Sequence, residues 1–107
     1  MSRIDALKAM LAQDPKDPDL HLMLASDLRQ AERFAEAADA LRAYLALMPP
    51  AADLGAAYRD LGICLERLGQ ADAAKATYQK GVEAAVAHRH AGLQTEIEGL
   101  LKDLAGC

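Results

Sequence analysis

A chain of 107 residues and 11.4 kDa has room for one ordinary domain, so a single hydrophobic core must serve. Its 24 alanines and 17 leucines stand against seven β-branched residues, a helix-former usage that nearly excludes a β-rich fold. The formal net charge is -4, with six basic against nine acidic residues through Asp53 and six against seven after it, so neither half can hold nucleic acid by charge alone. No apolar run spans a bilayer, and Asp5 falls where a secretory leader would begin its apolar stretch, so the expected location is cytoplasmic, with no membrane partner.

Turn residues punctuate the chain at Asp14-Pro15-Lys16-Asp17-Pro18, at Met48-Pro49-Pro50, at Gly69 and from His88 to Gly92. Apolar residues at helical spacing between them predict helices over 2–13, 18–30, 34–47, 52–68, 71–86 and 91–104. Asp17 precedes a first-turn proline, Pro18, as an N-cap, and Asp53 or a neighbour is expected to cap the fourth helix. Cys64, set among Leu61, Gly62, Ile63 and Leu65, reads as a small buried thiol, whereas Cys107 is expected to be exposed. Two such cysteines make no disulfide framework, which fits a reducing compartment.

An internal repeat sets the architecture. His21-x2-Leu24-Ala25-x2-Leu28, followed by Ala37-x3-Leu41 and Pro49, is echoed 37 residues on by Tyr58-x2-Leu61-Gly62-x2-Leu65, followed by Ala74-x3-Tyr78. This pattern resembles the tetratricopeptide repeat, a helix pair of about 34 residues. The resemblance implies an all-α, α-α superhelix of about six helices, a solenoid of antiparallel pairs in one domain: an N-terminal helix over 2–13, repeats over 18–51 and 55–88, and a capping helix over 91–104. Ala25 or Gly62 on the first helix of a pair, and Ala37 or Ala74 on the second, allow close approach of two backbones, and Gly81 joins them in a helix interior where glycine costs about 1 kcal/mol relative to alanine. Gly69 falls between helices, where a left-handed residue ends the first. Its counterpart is Glu32, so the earlier turn is expected to close by another geometry. The three residues by which the copies exceed the family period belong near Pro49 to Asp53, and neither copy has tryptophan at its aromatic position.

Gly92, Gly99 and Gly106 repeat the spacing of Gly55, Gly62 and Gly69, as a third copy would. Glu98 and Lys102, however, replace Leu61 and Leu65, while Leu93, Ile97, Leu100, Leu101 and Leu104 form one stripe. One apolar face with a polar back is what a terminal capping helix needs.

Candidate chemistry is sparse. His88 and His90 are two apart, so a helix would place them on roughly opposite sides, and no Cys or further His is near them to complete a metal site. The only serines are Ser2 and Ser26, no nucleophile motif occurs, and the acidic pairs Glu32 with Glu36 and Glu96 with Glu98 lie in charge-mixed segments that read as solvated faces. No catalytic, cofactor-binding or metal-binding residue is expected, and the protein is expected not to be an enzyme. The family resemblance instead places Leu22, Ser26, Arg29 and Gln30 of the first copy, and Arg59, Ile63, Glu66 and Arg67 of the second, on an inner concave face that holds an extended peptide or a partner helix. Leu22 and Ile63 would be exposed apolar contacts, and Arg29, Arg59 and Arg67 suit an acidic partner, with Glu66 opposing strong selectivity. The lysine and asparagine pattern of repeats that grip chaperone tails is absent here. The expected function is non-catalytic protein–protein interaction. The alternative is a structural or scaffold protein that self-associates through the solenoid ends, with Ile4, Leu7 and Met10 as the sensitive positions.

Overall fold

The computed structural model describes residues 2–48 and 55–105. Six helices lie in these residues and no strand: α1 (Arg3–Gln13), α2 (Pro18–Gln30), α3 (Phe34–Leu47), α4 (Ala56–Arg67), α5 (Ala71–Ala87) and α6 (Ala91–Ala105). Each packs chiefly on its neighbours in sequence, α1 on α2 through to α5 on α6, and the molecule measures 41 × 28 × 19 Å. Such a linear stack is what a helical repeat builds.

Local chemistry starts the helices where the sequence places them. The Ser2 hydroxyl accepts from the Asp5 amide at 3.2 Å, and the Asp17 carboxylate accepts from the Asp19 amide at 2.9 Å just ahead of Pro18. The fourth helix differs from the expected span: it starts at Ala56, because Gly55 sits at φ 115° and cannot belong to a right-handed helix. A side chain on Gly55 would also drive its Cβ to 2.6 Å from the Gly81 carbonyl oxygen. The cap expected at Asp53, the lengthened connection from Pro49 to Asp53, and Cys107 lie outside the described residues.

The small residues do the packing assigned to them. Ala25, Ala37 and Ala74 are buried, and a Cβ on Gly62 would overlap the ring of Tyr78 from α5. A Cβ on Gly81 would stand 3.0 Å from Ile97 of α6 and 3.1 Å from Tyr58 of α4. The α6 stripe is buried at Leu93 and Ile97 and half-buried at Leu100, Leu101 and Leu104. Burying these apolar surfaces contributes about 25 cal/mol per Å² and is what holds the stack together.

One expectation is overturned at the turns. Glu32 does not close its turn differently from Gly69: both are left-handed, at φ 60° and φ 77°, and Arg89 joins them at φ 55°. In each turn the following amide bonds back to a carbonyl five residues earlier, Arg33 to Leu28 at 2.9 Å, Gln70 to Leu65 at 2.9 Å and His90 to Ala85 at 2.8 Å. These bonds and the packing of the flanking helices impose the same turn on all three residues, although only one is glycine.

Candidate functional site

Leu22, Ser26 and Arg29 recur at helical spacing on α2, which puts them on one face of that helix. With Ala25 they form one wall of a cleft of about 240 Å³, whose other wall is Ala56, Ala57 and Asp60 of α4 and whose floor includes Leu41 of α3. Leu22 is 37% exposed at its mouth. The alanines on both walls are short, so the helix faces leave room for a side chain from elsewhere.

Polar groups frame this apolar surface. Arg29 Nη1 lies 2.8 Å from Asp60 Oδ1, linking α2 to α4 across the cleft. Arg59 Nε donates to the same Asp60 oxygen at 3.1 Å, and its Nη1 donates to Glu96 Oε1 of α6 at 2.7 Å. Two guanidinium groups and two carboxylates thus run in a line over three helices. Partial burial works against the charge on Arg59, but Glu96 and Asp60 outweigh it and raise its pKa. A second, shallower cleft of about 420 Å³ lies beside this line, between Ala56 and Arg59 of α4 and Leu93 and Glu96 of α6, with His90 and Gly92 at its edge.

The predicted residues therefore divide. Leu22, Ser26 and Arg29 share the α2–α4 cleft, and Arg59 borders the α4–α6 cleft. Ile63 was expected as an exposed contact and is instead half-buried against the hydrophobic core. Glu66 accepts the hydroxyl hydrogen bond of buried Tyr78, and Arg67 lies over the Phe34 ring, 5.7 Å from its centroid. Gln30 is exposed at the end of α2. Glu66 and Arg67 thus make contacts within the fold, and neither they nor Ile63 line either cleft. Sequence reasoning missed Asp60 and Glu96, the carboxylates that hold the arginines. Their pairing joins different helices, and spacing along one helix carries no signal of it.

Two of the histidines have structural partners as well. His21 is half-buried with Nε2 2.8 Å from the Pro15 carbonyl oxygen, and His90 Nδ1 accepts from the Leu93 amide at 3.1 Å in the first turn of α6. Among the described residues no group of three or more His, Cys, Asp or Glu side chains could hold a metal ion. Cys64 is buried, and burial raises its thiol pKa, with Asp60 adding to the rise and Arg29 opposing it. No described helix is long and apolar enough to cross a membrane.

Comparison with known proteins agrees with the fold. A search of curated proteins finds no match. Among solved structures 15 chains match. One is the solution structure of a protein from Bordetella parapertussis, 28% identical, with a TM-score of 0.80 over 98% of this chain and 89% of that one. The profile of the tetratricopeptide repeat family matches residues 1–86. Helix pairs closed by recurrent left-handed turns and packed through small residues, together with that match, place the chain in the tetratricopeptide repeat family.

Proposed function

We propose that this protein is a non-catalytic interaction module that seats a partner peptide or helix in the α2–α4 cleft. The observation that carries this reading is the cleft itself: an apolar recess beside exposed Leu22, framed by Ser26 and the Arg29–Asp60 pair. Protein binding is the general work of the family, and a recess of this kind takes one large apolar side chain while the flanking polar groups fix register. Arg59 extends the surface toward α6. An acidic partner would have to compete with Asp60 and Glu96 for the two arginines, so the apolar anchor carries this reading further than charge does. Ile63, Glu66 and Arg67 do not line this cleft.

Self-association through the N-terminal end is the alternative, and Met10, 51% exposed on α1, is the observation in its favour. Leu7 is buried and Ile4 half-buried, which narrows that end surface. Affinity capture with wild type, Leu22→Asp and Met10→Asp separates the two. A partner lost only with Leu22→Asp supports the cleft. Loss only with Met10→Asp, together with a fall in solution mass, moves the contact to the end of the stack.

A further inference from the structure

A third recess lies where α3, α4 and α5 meet, built by residues that the α2–α4 cleft does not use. Its volume is about 360 Å³, within the range of small-ligand sites, and its walls are Arg42 and Leu45 from α3, Tyr58 and Leu61 from α4, and Thr77 and Lys80 from α5. Among the described residues an arginine and a lysine line it and no carboxylate does, in a chain whose formal net charge is -4. Among the described residues Arg42 reaches only Asp39, at 3.3 Å through Nη1 on the exposed surface of its own helix, which leaves its other nitrogens open to a ligand. Lys80 and the Tyr58 hydroxyl have no hydrogen-bond or ion-pair partner among the described residues. Thr77 is different, because its hydroxyl already donates to the Ala73 carbonyl at 2.8 Å and so forms wall.

Like charges brought to one recess repel, and an oxyanion placed between them would relieve that repulsion while accepting hydrogen bonds from both. The geometry points to an oxyanion site, for a phosphate or carboxylate group, gripped by Arg42 and Lys80 with the Tyr58 hydroxyl as the neutral donor. Leu45 and Leu61 provide an apolar surface for whatever bears the anion. The site is separate from the α2–α4 cleft and does not depend on the function proposed for it.

The test is a titration of the full 107-residue chain with inorganic phosphate, and separately with acetate, at constant ionic strength, followed by amide chemical shifts. The site predicts saturable shifts clustered at Leu45, Tyr58, Thr77 and Lys80. Lys80→Gln should weaken binding about fivefold and Tyr58→Phe up to about tenfold, and the double variant Arg42→Gln with Lys80→Gln should abolish saturation. The substituted cations are on the surface, so circular dichroism should be unchanged. Saturation by phosphate alone assigns a phosphate site, and saturation by acetate admits a carboxylate. Linear shifts with both anions, unchanged affinity in the double variant, or shifts centred on Leu22 and Asp60 would overturn the assignment.

Discussion

Tyr78 occupies the space that a side chain on Gly62 would need, so the second helix pair is locked by the absence of one carbon atom. Gly62→Ala should therefore destabilise the protein by about 1–3 kcal/mol, because the ring is buried and cannot step aside without strain. Gly99, also inside a helix, has open space around it, and Gly99→Ala should gain about 1 kcal/mol from helix propensity. Chemical denaturation of the two variants checks both signs. Equal gains would mean that Gly62 has no packing role.

The three left-handed turns predict an unusual direction for glycine substitutions. Glu32 and Arg89 hold a conformation that disfavours a Cβ, so Glu32→Gly and Arg89→Gly should each raise stability, by up to about 1 kcal/mol after allowing for the greater freedom of glycine in the unfolded chain. Gly69→Ala should lower it by about 1 kcal/mol although nothing lies within 4 Å of the added carbon. Thermal unfolding of the three variants reads this directly, and a loss at Glu32 would deny that the turn is strained.

Ionisation sets an alkaline limit. Burial raises the Tyr78 phenol above its ordinary value of 10.0, with Glu66 adding to the shift, and burial raises the Cys64 thiol above 9.0. Both pKa values are higher in the folded state, so the stabilisation is complete below the unfolded values and is lost as pH rises toward the folded ones. Stability should fall from about pH 9 upward. Cys64→Ala should flatten the first part of that fall and Tyr78→Phe the later part. The measurement is the denaturation midpoint as a function of pH, and identical alkaline slopes in all three proteins would refute the assignment.

The ion-pair line across the helices predicts an order of effects. Asp60 serves both Arg29 and Arg59 through one oxygen, so Asp60→Asn should cost more stability than Arg29→Gln. A double-mutant cycle for Arg29 and Asp60 should give a coupling of about 1 kcal/mol or less, smaller at high salt, since the Arg29 side chain is 34% exposed.

Most of the architecture was legible because its signals are local. The helix start at Pro18, the left-handed Gly69 and the close approach at Gly62 follow from capping, turn chemistry and side-chain size within a few residues. The start of α4 was misplaced because an Ala-rich segment carries no mark that Gly55 must bend left-handed against Gly81. Glu32 was misread for a related reason, since the stacking of helices, acting from a distance, holds a non-glycine residue in the strained turn. The candidate site was half legible. Leu22, Ser26 and Arg29 share a face by periodicity alone, but Asp60 and Glu96 enter through the way α2, α4 and α6 are set side by side. The same packing turned Ile63 toward the core and gave Arg67 to Phe34.

The most direct test of the proposed interaction is amide hydrogen exchange of the wild-type protein with and without its captured partner. Seating in the α2–α4 cleft predicts added protection confined to residues 20–29 and 56–61, abolished by Leu22→Asp. Protection confined to residues 3–13, or unchanged by Leu22→Asp, would contradict it.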